Sequence, residues 1–197
     1  MPEIALFVED HAHYLFLKAL IHRLSVEYQQ EVNLDWRNAR RGHGMVIKEL
    51  HQYLRDLRRG RNSFPDRLIV ATDANCQGLM NRLREITDIT QSVGIPTICA
   101  VPDPHIERWL LLDSSAFKQV FGKGCDMPDK KCERGRYKRK LVDAIRASGI
   151  DPNLGGIEFT DDIVNAMDLD SSANVDASFQ RLLDELRAMF REWQRKG

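Results

Sequence analysis

The chain is patterned as strands alternating with helices, and this restricts its fold more than any other feature. Ile4-Ala5-Leu6-Phe7-Val8 is a continuous apolar run closed by Glu9 and Asp10. A short run without polar alternation suits a strand buried on both faces. Behind it Tyr14, Leu15, Leu17, Ile21 and Leu24 recur at helical spacing. Residues 32–36 read as a weaker second strand, and 45–59 as a helix reached through a basic loop, 37–44. Residues 67–72 are a third strand ending at Asp73, residues 77–92 a helix stopped by Gly94, and residues 95–101 a fourth strand with Pro96 where a strand tolerates it. Such alternation predicts an α/β fold: a mostly parallel, four-stranded sheet flanked by helices.

Past Pro104 the pattern turns helical. Residues 106–113 read as one apolar helix, 122–128 as irregular chain, and 130–147 as a basic segment becoming an amphipathic helix. Thr160 reads as the N-cap of a short helix. Phe179, Leu182, Leu183, Leu186, Met189, Phe190 and Trp193 share one face of a last helix over 176–194. This divides the chain into an α/β core, 1–122, and a helical C-terminal extension, 123–197, packed on it. With 43% hydrophobic residues in 197, a core of that kind can be built.

Lysine plus arginine and aspartate plus glutamate number 29 each, so net charge excludes no partner and only local distribution informs. No run reaches membrane-spanning length, and Met1-Pro2-Glu3 lacks the basic start of a secretory signal. A cytoplasmic protein with no membrane partner is expected. Cys99 lies in an apolar run and reads as a buried small residue. Cys125 and Cys132 lack the spacing and histidine partners of a zinc site. His11, His13, His43 and His105 form no zinc pattern either, and read as core or surface residues.

In an open parallel sheet, ligands gather at the carboxyl ends of the strands. Glu9 and Asp10 follow the first strand and Asp73 the third. If those strands are neighbours, Glu9 and Asp73 come within reach of one cation, which would offset their mutual repulsion. Acidic residues at such positions also cap the helices that follow, so capping is the competing reading.

The motifs narrow the choice. Asp73-Ala74-Asn75-Cys76-Gln77-Gly78 after an apolar strand resembles the DxDxxG motif of Toprim domains, and Leu6-Phe7-Val8-Glu9 resembles their apolar run ending in glutamate. The stretch from Pro102 to Asp113 is similar to the P-x-x-E-x-W-L-L-x-D segment of small bacterial Toprim proteins related to the overcoming-lysogenization-defect nucleases of phage defence. Ser178-Phe179-Gln180-Arg181-Leu182-Leu183 resembles their closing helix.

The resemblance implies a Toprim-like (Rossmann-like) fold and Mg²⁺- or Mn²⁺-dependent hydrolysis of phosphodiester bonds in DNA or RNA. It makes Glu9 and Asp73 the catalytic carboxylates and metal ligands, with Glu107 and Asp113 as further metal candidates. It also implies an ABC-type ATPase subunit as partner, because the chain has no GxxxxGK[ST] of its own. Two positions depart from the family pattern: Asp10 stands where glycine is usual, and Asn75 replaces the second Asp of DxD. Asn75 still offers a hard oxygen, and Asp10 would restore the lost charge. Asp73→Ala is expected to remove cleavage and leave the fold intact. A second function remains open: a non-catalytic nucleic-acid-binding or regulatory subunit. Topoisomerase and primase activities are not expected, because the chain is too short for the further domains those enzymes use.

Residues 130–140 hold seven basic side chains against one acidic. Lys130, Lys131, Arg134, Arg136, Lys138, Arg139 and Lys140 read as a phosphate-binding surface, with Tyr137 available to stack on a base. Arg37, Arg40 and Arg41 form a second basic patch. The competing reading is a solvated helix face laced by ion pairs.

Overall fold

The computed structural model describes residues 1–38, 43–61 and 63–196. Its sheet contains β1 (Glu3–Val8), β2 (Asn33–Asn38), β3 (Arg67–Ala71) and β4 (Thr97–Ala100), all parallel, in the order β2-β1-β3-β4. The crossovers are α1 (His11–Glu27), α2 (His43–Arg58) and α3 (Leu79–Thr90). The chain leaves β1 in one direction for β2, then returns past β1 to place β3 on its other side. The carboxyl ends of β1 and β3 are therefore the topological switch point, where the connecting helices leave on opposite faces.

Two-residue periodicity in the strands builds both layers. Ile4, Leu6, Val8, Ile69, Ala71, Ile98 and Ala100 point to one side, against α1 and the C-terminal helices. Ala5, Phe7, Leu68, Val70, Cys99 and Val101 point to the other, against Val46, Leu50, Leu54 and Leu57 of α2 and Leu83 and Ile86 of α3. Each such fully buried large side chain contributes about 1.5–3 kcal/mol. The strands are short, and burial on both faces explains why they carry no polar alternation.

The second half of the chain covers the α1 side. It comprises α4 (Ile106–Trp109), α5 (Ser114–Phe121), α6 (Arg136–Arg146), α7 (Thr160–Ala166), α8 (Leu169–Val175) and α9 (Ala177–Gln194). The apolar face expected for the last helix is buried from Phe179 to Trp193. Phe179 meets Phe16 and Trp109 edge-on, at ring separations of 6.1 and 5.6 Å. Side chains from Cys125 to Trp193 thus share one continuous core with the sheet.

Several local expectations are corrected. Residues 106–113 are not one helix: α4 ends at Trp109, and Asp113 is the extended N-cap of α5, accepting from the backbone N–H of Ser115 and Ala116 at 2.8 and 3.0 Å. Thr160 is not the N-cap of α7, because its backbone is already helical and its hydroxyl donates to Ile157 O. The basic segment does become a helix as expected, from Arg136, after Gly135 in the left-handed region. Helices α5 and α8 went unanticipated; each has seven or eight residues, too few for a clear period, and their signal lay in the caps Asp113 and Asp168. Cys76 and Cys132 are joined in a disulfide, a pairing that their spacing did not announce.

Candidate functional site

Glu9 and Asp73 meet at the switch point because β1 and β3 are neighbours in register, Val8 opposite Ala71. Each residue is the first past its strand's end or close to it. Glu9 Oε2 accepts from the Asp73 backbone N–H at 3.0 Å and from the Thr72 hydroxyl at 2.6 Å. Thr72 has one proton and spends it on Glu9, so its oxygen receives His43 Nδ1 at 2.8 Å as an acceptor. His43 Nε2 in turn reaches Glu85 Oε2 at 2.8 Å. The second Glu9 oxygen accepts no hydrogen bond among the described residues.

Asp73 is held from three sides. His105 Nδ1 donates to Oδ2 at 2.8 Å, and the Ile106 backbone N–H donates to Oδ1 at 2.9 Å. His13 Nε2 lies 3.1 Å from Oδ1 without the alignment of a hydrogen bond. The other His13 nitrogen donates to Asp10 Oδ1 at 2.8 Å. Asp10 also caps α1 through the His13 backbone N–H. The capping reading thus holds for Asp10, while Asp73 sits in a cluster of charges.

The loops that carry these groups are laced together by main chain. Ala74 N–H bonds Pro102 O and Asn75 N–H bonds Pro104 O, so the turn after β3 rests on the turn after β4. Asn75 occupies the left-handed region at φ 49°, which asparagine tolerates better than most residues, and Gly78 follows at φ 82°. The DxxG-like spacing is thus a backbone requirement of this turn. Glu107, on α4, lies near enough to feel the Asp73 charge.

Charge within the cluster is coupled. Burial and the neighbouring Asp73 charge push the Glu107 carboxyl up. The bond to Asp73 holds His105 above its ordinary value against partial burial, with Glu107 and Glu9 adding to it. Burial disfavours a charged His13, yet Asp73 and Asp10 outweigh it and hold that ring well above 6.5. Burial opposes ionisation of Asp10 too, but His13 draws its pKa down to about 2. Asp73 is likewise lowered, burial being outweighed by His13 and His105.

A pH window follows from these directions. The carboxylates contribute stability above their ordinary 3.8, and that contribution is lost as pH falls through their lowered values. His13 contributes below 6.5, and its share is lost as pH rises through its raised value. With EDTA present, melting temperature is expected to be highest between about pH 4 and pH 6.5. His13→Gln should flatten the alkaline limb of the profile; an unchanged limb would separate His13 from it.

The other expected site residues divide. Asp113 does not join the cluster: one oxygen caps α5 and the other accepts from Asp168 N–H at 2.8 Å. Tyr137 cannot stack on a base, because its ring is fully buried and its hydroxyl bonds Asp129 O at 2.9 Å and Lys131 N–H at 2.8 Å. Four of the seven cations are paired: Lys130 with Asp103, Lys131 with Asp129, Arg136 with Asp129 and Glu133, Arg139 with Glu133. Arg134, Lys138 and Lys140 are exposed and have no ion pair among the described residues. Arg37 lies in β2, paired with Asp35 and set over the Tyr53 ring; Arg40 and Arg41 fall outside the described residues.

The basic segment nevertheless borders the acidic cluster. His105 packs against Tyr137 at 5.8 Å between ring centres, and Cys132 is bonded to Cys76, next to Asn75. The histidines read from sequence as core or surface residues are the principal omission, since His13, His43 and His105 all contact the acids or their supports. The nearest signal was their position just after strands or beside Asp10 and Pro104.

The donor types suit a hard divalent cation: carboxylate oxygens of Glu9, Asp73 and Glu107 and the amide oxygen of Asn75. Among the described residues, no three histidine, cysteine, aspartate or glutamate side chains stand together as a coordination shell. Each Asp73 oxygen accepts one N–H group and keeps a further lone pair, which a cation would share with His105 and Ile106. No helix among the described residues is long and apolar enough to cross a membrane. No protein-family model, curated protein or solved structure matches the chain.

Proposed function

We propose that this protein is a cytoplasmic Toprim-type nuclease that uses Mg²⁺ or Mn²⁺ to hydrolyse phosphodiester bonds of DNA or RNA in anti-phage defence. The observation that carries the reading is the joining of Glu9 to Asp73 at the switch point, through the 3.0 Å bond from the Asp73 N–H to the Glu9 carboxylate. Glu9, Asp73 and Glu107, with the Asn75 oxygen, would hold the cation. Bound there, it would offset charge on the scissile phosphate and lower the pKa of a water.

The chain's own residues do the positioning. Thr72 and the Asp73 N–H fix one Glu9 oxygen and leave the other for a ligand or a water. His13 and His105 hold Asp73 ionised although its side chain is largely buried. Arg134, Lys138 and Lys140 bind backbone phosphates, and an ABC-type ATPase is the partner that would supply the missing nucleotide chemistry. The direct test is incubation of the purified protein with labelled single- and double-stranded DNA and RNA in Mg²⁺, Mn²⁺ or EDTA. Metal-dependent cutting supports the nuclease.

The neutral Asn75 and the two histidines on Asp73 favour a second reading, a nucleic-acid-binding or regulatory subunit that does not cut. Binding without cleavage in every metal would select it. In either case the triple substitution of Arg134, Lys138 and Lys140 by alanine is expected to lower the log–log salt slope of binding by about one unit per residue. Arg139 is left out because Glu133 already holds it. An unchanged slope would remove this surface from the interface.

A further inference from the structure

We propose that Cys76 and Cys132 are a reversible redox site: oxidised, they clamp the basic segment to the loop carrying Asp73 and Asn75, and reduced, they release it. The two Cα atoms are 5.3 Å apart across 56 residues of sequence, a separation a disulfide spans without backbone movement. Both residues are exposed, so oxidant and reductant reach them. The other two cysteines are buried, Cys99 in the sheet and Cys125 under α5. Burial pushes both their thiols up to about 11, which leaves them protonated and inert. Thiol chemistry is therefore confined to the pair.

The location gives the pair its consequence. Cys76 belongs to the turn Asn75–Gln77, immediately after the left-handed Asn75. Cys132 lies in chain without helix or strand, between a part anchored by Arg108 and Tyr137 at residues 128–131 and the start of α6. Among the described residues, no hydrogen bond runs from residues 132–135 to the strand-end loops. The sulfur bridge is their link. Breaking it frees Arg134 and leaves the turn after β3 held to the β4 turn by the Ala74 and Asn75 N–H bonds, while the core on either side stays packed.

With hydrogen peroxide as oxidant, one thiolate attacks the O–O bond, becoming a sulfenic acid as hydroxide leaves and takes up a proton. The second sulfur then displaces water and closes the S–S bond, so two thiols and one peroxide become one disulfide and two waters. A dithiol reverses this, giving two electrons and two protons and closing its own disulfide. Any effect on nucleic acid rests on the function proposed above.

The test uses the full chain in EDTA, oxidised with peroxide or reduced with dithiothreitol, followed by hydrogen exchange. Reduction is expected to speed exchange in residues 131–136 by about tenfold or more, the mark of local opening, with the sheet unchanged. Mass and alkylation should find only Cys76 and Cys132 switching between states. Cys76→Ser and Cys132→Ser should each exchange like the reduced protein under both conditions. The proposal is overturned if peroxide forms no bond between these residues, if exchange is identical in the two states, or if either serine variant still responds to oxidant. A non-cleavable oligonucleotide titrated in EDTA should bind several-fold more weakly to the reduced form. If exchange responds and oligonucleotide affinity does not, the redox site stands and the nucleic-acid reading falls.

Discussion

On the nuclease function proposed above, Asp73→Ala is expected to lose metal-dependent cleavage altogether, and on any function to lose about 3–5 kcal/mol of folding stability. The second effect comes from His13, which is 1% exposed and depends on Asp73 and Asp10 for its charge. Removing one partner leaves an imidazole that must either stay charged without its main counter-ion or lose its proton. The Ile106 N–H and His105 lose their acceptor as well. The sequence-based expectation of an intact fold is revised accordingly, because Asp73 lies at a strand end but is structurally embedded.

Asp73→Asn separates the two effects. It keeps a carbonyl oxygen for the Ile106 N–H and much of the shape, so its stability loss should be smaller, about 1–3 kcal/mol. Urea denaturation and cleavage assays on both variants check this. A folded Asp73→Asn protein that cuts at the normal rate would overturn the proposed Toprim-type mechanism, and an Asp73→Ala protein as stable as the parent would show that His13 does not depend on it.

A second large effect is expected at Asp176→Ala. Asp176 is 1% exposed, forms an ion pair with buried Arg108, and caps α9 through the N–H groups of Ser178 and Phe179. Its removal strands a guanidinium in the core and uncaps the longest C-terminal helix, for a loss of about 4 kcal/mol or more. That is a large part of the roughly 5–15 kcal/mol that holds a domain of ordinary size together. Arg108→Met in the same chain should recover part of the loss, because an apolar replacement of a buried ion pair is often neutral. The double-mutant cycle on unfolding free energy is decisive, and simple additivity would mean that the pair is not coupled. The pair also matters to the site, since Arg108 sits between Glu107 and Trp109 on α4. Trp109 Nε1 donates to Ser178 Oγ at 3.1 Å, so α9 sets where α4 presents Glu107.

What the chain determined by itself was whatever depends on near neighbours in sequence. Runs such as residues 4–8 and 67–71 specify buried strands, and the 3.6-residue period from Phe179 to Trp193 specifies the face that α9 buries. The turn after β3 has a local basis as well, with Asn75 and Gly78 at positive φ at fixed offsets from the strand end, although the sequence alone reads Asn75 as a metal candidate. Tertiary structure decided which of the chemical groups meet. The strand order puts Glu9 beside Asp73 across 64 residues, and the β4 turn brings His105 to Asp73 across 32. Neither separation leaves a local trace. Asp113 and Tyr137 show the converse: each has the right chemistry and lies in the right segment, but packing spends one on a helix cap and buries the other. Side-chain type and spacing say what a residue can do, while burial and hydrogen-bond partners, set by contacts distant in sequence, decide whether it is left to do it.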